Sequence, residues 1–231
     1  MKNNINLKQY IINKNDILIF DLDDTIYREI NFVNEGFKGV ASYLEKKINL
    51  RKKIIFNELK KILHKNGRGK VFDIFCKRKK IYSKKIVKKL IKIYRFCNKK
   101  IDVPKKNLKI FKKLKKNFRL YIVTDGKWQV QSHKIKLLKI KKDFSKIYFT
   151  DIYGKDAWKP SLKCFRKIKK IENCKWENIS YFGDNEKKDF VNLNKIGAKT
   201  ILVKGWSRSR EKISKVHSAK HAIKSINDLR Y

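Results

Sequence analysis

The segment Ile17-Leu18-Ile19-Phe20-Asp21-Leu22-Asp23-Asp24-Thr25 joins a short apolar run to three carboxylates. Four apolar residues between polar neighbours predict a buried strand over 17–20. The carboxylates begin at its C-terminal end, where open α/β sheets bind ligands. Clustered Asp side chains repel one another unless a cation, a shared proton or hydrogen-bond donors compensate. The segment therefore predicts a metal site, and a solvated acidic turn is the alternative.

The composition indicates a folded and strongly basic protein. Its 231 residues include 62 Lys and Arg against 21 Asp and Glu, a formal net charge of +41. Such a charge attracts polyanions, but the lysines are spread from end to end among many Ile and Asn, which indicates compositional bias. We therefore expect no specific nucleic acid partner, and a basic nucleic-acid-binding protein is the alternative class.

Several features predict a cytoplasmic protein without membrane contact. The four cysteines, Cys76, Cys97, Cys164 and Cys174, lack short metal-ligand spacing and are expected to be reduced thiols. The first residues lack the apolar stretch of a signal peptide. No apolar run approaches the roughly 18 residues of a membrane span. We expect a monomer or a homodimer.

Helical periodicity follows the opening strand. Apolar residues recur at three- and four-residue steps and predict three amphipathic helices, within 33–48, 55–62 and 86–97. The two glycines of Asn66-Gly67-Arg68-Gly69-Lys70 predict a loop between the second and third helices. We therefore predict an inserted all-helical domain over 28–100.

Strands and helices alternate from residue 101 onward. Further buried strands are predicted at 120–123, 146–150, 179–182 and 200–203, with helices between them. Pro160 is suited to the first turn of one of these helices. Such alternation predicts an α/β fold, a Rossmann-like three-layer core with a parallel sheet. This core would comprise 1–27 and 101–231.

Polar residues follow three of the predicted strands. Asp21 and Asp23 follow the first, Thr124-Asp125-Gly126 the second, and Gly183-Asp184 a later one, with Asp189 five residues further on. The carboxyl ends of parallel strands share one sheet edge, so these residues are expected to converge. Mg²⁺ selects carboxylate oxygens together with waters and substrate phosphates. Lys159, placed at a helix start, would bring positive charge to the same edge.

These segments resemble the four ordered motifs of the haloacid dehalogenase-like (HAD) hydrolases. The motifs are Phe-Asp21-Leu-Asp23-Asp24-Thr25, Thr124-Asp125-Gly126, Lys159-Pro160 and Gly183-Asp184 through Asp189. The resemblance spans 16–203. The helical insertion after the first motif is similar to the helical cap domain of that family, which would close over the site and choose the substrate.

The resemblance implies roles for the two leading aspartates. Asp21 would be the nucleophile that forms an aspartyl-phosphate. Asp23 would protonate the leaving oxygen and then deprotonate the hydrolytic water. Family members that cleave carbon–halogen bonds characteristically lack an Asp at this second position, so Asp23 favours phosphate ester chemistry.

The resemblance also implies residues that bind the phosphoryl group. Thr124, together with the backbone of Asp125 and Gly126, would donate hydrogen bonds to it, and Lys159 would offset its charge. Asp125 has the alternative role of holding the loop. Arg68 is a candidate contact for a substrate anion, with an ordinary surface loop as the alternative.

The implied cofactor is Mg²⁺. Its ligands would be Asp21, the carbonyl of Asp23 and Asp184, with Asp189 as a ligand or a neighbouring acceptor. The chain is thus predicted to be a Mg²⁺-dependent phosphatase. Its substrate would be a small phosphorylated metabolite, either a nucleotide monophosphate or a sugar phosphate. A phosphomutase of the same superfamily is the alternative, because it shares the nucleophile and the acid.

Four other features have structural interpretations. Asp24 is expected to be a turn residue, and Thr25 to bond its side chain to the backbone of the same turn. The basic segment Gly205–Arg210 would suit phosphate or single-stranded nucleic acid, with a solvated loop as the alternative. His217 and His221 lack a third ligand, so no zinc site is predicted there.

Overall fold

The computed structural model describes residues 9–206 and 214–231, so the part of the basic segment beyond Trp206 lies outside the described residues. The strands are β1 (Tyr10–Ile11), β2 (Ile17–Phe20), β3 (Leu120–Thr124), β4 (Lys146–Phe149), β5 (Ile179–Gly183), β6 (Lys199–Val203), β7 (His221–Ile223) and β8 (Leu229–Arg230). The helices are α1 (Glu29–Glu45), α2 (Lys52–Asn66), α3 (Val71–Arg78), α4 (Lys84–Phe96), α5 (Lys105–Asn117), α6 (Trp128–Leu138), α7 (Lys163–Ile171), α8 (Glu186–Asp189) and α9 (Val191–Lys195).

Six strands form a parallel sheet in the order β4-β3-β2-β5-β6-β7. The strand β2 is central and pairs with β3, where Leu18 is opposite Leu120, and with β5, where Ile17 is opposite Ile179. The predicted α/β fold with a parallel sheet is confirmed. The apolar pattern of the sequence does not predict β1, β7 and β8, which have only two or three residues each.

Apolar residues fill both faces of the sheet. Every residue of β2, β3 and β5 is buried, as expected of parallel strands that helices cover on both sides. On one face, Ile19 and Tyr181 share a core with Phe165 of α7. On the other face, the ring of Phe20 meets Phe111 of α5 edge-on at 5.2 Å between centroids. Successive side chains of β2 therefore pack against the helices on opposite faces of the sheet.

The chain divides into two compact units. One comprises Met1–Arg28 and Asp102–Tyr231, and the other Glu29–Ile101. The boundary lies one residue from that of the predicted insertion, 28–100. The second unit is all-helical throughout its described residues. Its role as a cap stays a prediction.

The helical unit contains one helix more than predicted. Val71–Arg78 forms α3, which follows the predicted glycine loop. Its two turns present Phe72, Phe75 and Cys76 to the core of the unit. Eight residues are too few to give a clear helical period in the sequence, so the prediction of three helices is wrong.

The start of α7 also differs from the prediction. Pro160 lies before the helix, which begins only at Lys163. The backbone N–H of Ser161 donates to the carbonyl oxygen of Trp158 at 2.9 Å. This turn holds Lys159 and Pro160 outside the helix, so the expectation that Lys159 marks a helix start is wrong.

All four cysteines are free thiols. In the part of the chain that the structure describes, no helix has both the length and the apolar character needed to cross a bilayer.

Candidate active site

Three neighbouring strands deliver polar residues to one edge of the sheet. Asp21 follows β2 directly, and its backbone N–H donates to the carbonyl oxygen of Phe182 at 2.8 Å. Thr124 ends β3, and Gly183 ends β5 immediately before Asp184. Because β2 lies between β3 and β5, the predicted motifs meet at the carboxyl edge of the sheet.

A buried ammonium group lies among these residues. The Nζ atom of Lys159 is 2.6 Å from Oδ1 of Asp21 and 2.8 Å from Oδ1 of Asp189. It also donates to the hydroxyl of Tyr181 at 2.9 Å. Burial opposes the charge of Lys159, but Asp189 and Asp21 raise its pKa well above the usual range. Lys159 is therefore a permanent cation beside the predicted nucleophile.

Asp21 is a buried carboxyl group in a mixed electrostatic environment. Burial raises its pKa to about 6, Lys159 acts to lower it, and Asp189 raises it. The group is therefore ionised at neutral pH. Lys159 compensates only part of the negative charge of Asp21, so the carboxylate keeps the charge that a nucleophile requires.

Asp189 uses both carboxylate oxygens within the protein. Its Oδ1 accepts from Tyr181 at 3.2 Å as well as from Lys159, and its Oδ2 accepts from the backbone N–H of Asn185 at 2.9 Å. A Cβ on Gly183 would lie 2.6 Å from Oδ2 of Asp189, so only glycine allows this close approach. The contacts favour Asp189 as an acceptor that holds Lys159, which is the second of its two predicted roles.

Asp184 lies in a field of like charges. Burial, Asp21 and Asp189 raise the pKa of Asp184 to about 8. A divalent cation would relieve this repulsion, and the donors here are oxygens, the ligands that Mg²⁺ prefers. Within residues 9–206 and 214–231, no three His, Cys, Asp or Glu side chains form a ready ligand set. The residues nevertheless fit Mg²⁺, which usually takes one or two carboxylates and keeps several waters.

Donors from two elements surround the carboxylate of Asp23. Tyr27 donates to Oδ1 at 2.7 Å, and Gln131 of α6 donates to Oδ2 at 3.0 Å. Lys134 of α6 lies 2.8 and 2.7 Å from the two oxygens. Burial opposes the charge of Asp23, but Lys134, Tyr27 and Gln131 hold its pKa below the usual range. None of the four motifs contains these three partners. The spacing of Gln131 and Lys134, which places both on one helix face, is the sequence signal that could have found those two.

The segment after β3 combines a hydroxyl donor, a carboxylate that is hydrogen-bonded within the protein, and a glycine with positive φ. The hydroxyl of Thr124 accepts from Gln131 at 2.6 Å, so its own proton remains available to a ligand. Gly126 has a φ of 112°, a conformation that glycine adopts readily. Asp125 accepts from the hydroxyl of Thr150 at 2.8 Å and from the backbone N–H of Lys159 at 3.2 Å. These bonds favour the loop-holding role, which is one of the two roles predicted for the Asp125 side chain.

The remaining predicted residues are Arg68, Asp24 and Thr25. Arg68 belongs to the helical unit, where its Nη2 lies 2.5 Å from Oε2 of Glu29. Asp24 adopts a φ of 53° in a turn, in keeping with its expected role. Thr25 is buried, and its hydroxyl has no hydrogen-bond partner among the described residues. The expected bond from Thr25 to the backbone is therefore wrong.

Sequence comparison gives two matches over most of the chain. The model of a family described as haloacid dehalogenase-like hydrolase matches residues 18–203. A protein of Methanocaldococcus jannaschii named glyceraldehyde 3-phosphate phosphatase is 29% identical over 201 residues, which are 84% of this chain and 87% of the relative.

Solved structures share the fold over most of the chain. The HAD-hydrolase YfnB from Bacillus subtilis, bound to magnesium, has a TM-score of 0.68 at 16% identity, with 92% of this chain and 96% of that one covered. A 2-haloacid dehalogenase from Pseudomonas syringae has a TM-score of 0.62 at 12% identity, with 92% and 95% covered. At these identities the likeness concerns the fold alone, so the residues of the site must distinguish the reactions.

Proposed function

This chain belongs to the haloacid dehalogenase-like hydrolases and is a phosphatase, and from this premise we propose that it hydrolyses a small phosphomonoester with Mg²⁺ through an aspartyl-phosphate on Asp21. The observation that carries the proposal is the pairing of Asp21 with Lys159 at 2.6 Å at the carboxyl edge of the sheet. The ammonium group fixes one oxygen of Asp21 and leaves the other for attack on phosphorus. Phosphoryl transfer chiefly requires such positioning and the neutralisation of oxygen charge.

Asp23 would act as general acid and then as general base. In the free protein its donors favour the carboxylate, which is the form that activates water. The arriving phosphate carries negative charge, which raises the pKa of a neighbouring carboxyl group and favours the acid form. The side chain of Asp23 is 22% exposed, so it is open to a leaving group while Lys134 and Tyr27 hold it.

The phosphoryl group would be bound by the segment after β3. The hydroxyl of Thr124 and the backbone N–H groups at Asp125 and Gly126 would donate to its oxygens, and Lys159 would offset their charge. Mg²⁺ would be held by Asp21, Asp184 and the carbonyl of Asp23. When bound, it supplies positive charge to the phosphoryl oxygens.

The substrate class is a small phosphorylated metabolite. The name of the archaeal relative, a glyceraldehyde 3-phosphate phosphatase, favours a small sugar phosphate over a nucleotide monophosphate. Arg68 is proposed as a contact for a substrate anion. The acid at Asp23 supports ester cleavage and counts against dehalogenation, although a dehalogenase shares the fold.

A substrate panel tests the proposal. Purified protein is incubated with triose, pentose and hexose phosphates, nucleotide monophosphates and 4-nitrophenyl phosphate, with Mg²⁺ or with EDTA. We expect release of phosphate that requires Mg²⁺ and is lost in Asp21→Asn. Hydrolysis that is unchanged in Asp21→Asn would contradict the proposal.

A further inference from the structure

The carboxylate of Asp23 is fixed by side chains that none of the four motifs contains. Gln131 and Lys134 reach it from one face of α6, at 3.0 Å and at 2.7 to 2.8 Å. We propose that Gln131 and Lys134 are positioning residues that align Asp23 with the leaving-group oxygen. This assignment rests on the proposed function, because it assumes that Asp23 protonates that oxygen.

Burial indicates that the ion pair with Asp23 stabilises the position of Lys134. The side chain of Lys134 is 5% exposed, although lysine is almost never buried unless it is paired. Both carboxylate oxygens of Asp23 face its ammonium group, so the carboxylate cannot rotate without losing a charge-assisted bond. Tyr27 adds a bond to Oδ1 at 2.7 Å. The carboxylate of Asp23 is therefore held in one orientation while part of it stays accessible.

Gln131 connects the acid to the phosphate-binding segment. Its Nε2 donates both to Oδ2 of Asp23 at 3.0 Å and to the hydroxyl of Thr124 at 2.6 Å. The leaving oxygen is bonded to the phosphorus that Thr124 would help to hold. The acid and the phosphate contact must therefore keep a fixed separation, since a misplacement of about 1 Å can lower a rate by about 100-fold. One buried amide of α6 sets that separation.

A positioning role for Lys134 predicts a dependence on the leaving group that a purely structural ion pair would not produce. An alkoxide leaving group needs a proton from Asp23, whereas 4-nitrophenolate leaves without one. Loss of alignment should therefore slow alkyl phosphates selectively. We expect Lys134→Met to lower kcat/KM by about 100-fold for glycerol phosphate and by less than about threefold for 4-nitrophenyl phosphate. The ratio of the two values does not depend on the active fraction of a preparation, so partial unfolding does not affect it.

Three variants complete the test. Lys134→Arg keeps the charge and the donors, and should recover part of the activity on glycerol phosphate. Gln131→Met should change the ratio in the same direction as Lys134→Met, and also raise KM for both substrates because Thr124 loses a partner. Lys136→Met is the matched control, since Lys136 is exposed on the same helix, and should change neither substrate. If Lys134→Met fails to fold, Gln131→Met carries the test through the same ratio.

The outcomes separate this assignment from the proposed function. Equal losses on both substrates in Lys134→Met, or no loss on either, would overturn the assignment. The proposed function would still hold if wild-type activity is abolished in Asp21→Asn. Wild-type protein without Mg²⁺-dependent hydrolysis would overturn the proposed function and this assignment with it.

Discussion

The Nζ atom of Lys159 lies 2.8 Å from Oδ1 of Asp189, and both side chains are almost wholly buried. The same ammonium group is 2.6 Å from Asp21, so one cation faces two carboxylates. Burial opposes the charge of Asp189, but Lys159 holds its pKa below the usual range. The pair keeps a positive charge beside the nucleophile. Lys159 and Asp189 therefore also contribute to the stability of the fold.

Removal of Lys159 is expected to destabilise the protein. Lys159→Met leaves Asp189 buried without its cation, which should lower the free energy of unfolding by about 3–5 kcal/mol. Urea denaturation measures the change. The second substitution Asp189→Asn should restore part of the lost stability, because it removes the unpaired charge. The exposed Lys175→Met is the control, and a loss in it as large as that in Lys159→Met would contradict the account.

A methyl group at position 183 should disturb the same pair. The Cβ of Gly183→Ala would lie 2.6 Å from Oδ2 and 2.9 Å from Cγ of Asp189, so the carboxylate must move. We expect a loss of about 1–3 kcal/mol in stability, measured by thermal denaturation, and reduced phosphatase activity. Gly69→Ala, where an added Cβ has no heavy atom within 4 Å, should change neither property. Native stability in Gly183→Ala would refute the predicted clash.

Stabilisation by Mg²⁺ should increase with pH. The folded protein raises the pKa of Asp184 from 3.8 to about 8, so it binds a proton that the unfolded chain has released. The contribution of Asp184 to stability is therefore full below the unfolded pKa and is lost as the pH rises toward the folded pKa. Mg²⁺ relieves the repulsion, and protons compete with it for Asp184.

Thermal denaturation with and without Mg²⁺ measures this effect. At about pH 8, Mg²⁺ at about 100 times its Kd should add about 2.7 kcal/mol, or about 5–10 °C in Tm for a chain of this size. At about pH 5 the shift should be less than half as large. Asp184→Asn should reduce the pH dependence of the shift and leave the smaller part that comes from Asp21, whose pKa is about 6. An equal shift in wild type at both pH values would argue against Asp184 as a ligand.

Arg68 should affect substrate affinity and leave stability unchanged. Its ion pair with Glu29 at 2.5 Å involves an Arg side chain that is 61% exposed, and such pairs contribute at most about 1 kcal/mol. If Arg68 contacts a substrate anion, Arg68→Ala should raise KM about tenfold with little change in kcat. Steady-state kinetics measures both parameters. Arg78→Ala is the control in the same unit, and an unchanged KM in Arg68→Ala would leave Arg68 without this role.

The fold was largely predictable because its strands are uninterrupted apolar runs. The segment Ile17–Phe20 matches β2 to the residue, since a strand buried on both faces needs apolar side chains throughout. The sequence pattern does not predict the short helix α3 or the edge strand β7, because eight and three residues carry too little periodicity. The sequence pattern predicts a helix start at Pro160, three residues before α7 begins, because the pattern does not show the turn that precedes the helix.

Site residues that follow a buried strand could be predicted from the sequence, whereas those on a helix were harder to predict. Asp21, Thr124 and Asp184 each come at or after the end of a buried strand, and parallel topology brings such ends together. Lys134 and Gln131 lie on α6 in a chain with 62 Lys and Arg residues. The three-residue spacing places both side chains on one face of the helix, but only the packing of α6 shows that this face contacts Asp23.

Chemical trapping of the covalent intermediate tests the central claim most directly. Protein that is turning over a phosphorylated substrate with Mg²⁺ is treated with borohydride, which reduces an aspartyl-phosphate to homoserine, and is then digested and analysed by mass spectrometry. The account predicts homoserine at position 21, only when substrate and Mg²⁺ are both present, and none in Asp21→Asn. Active protein in which Asp21 is never converted, or in which another carboxylate is, would contradict the account.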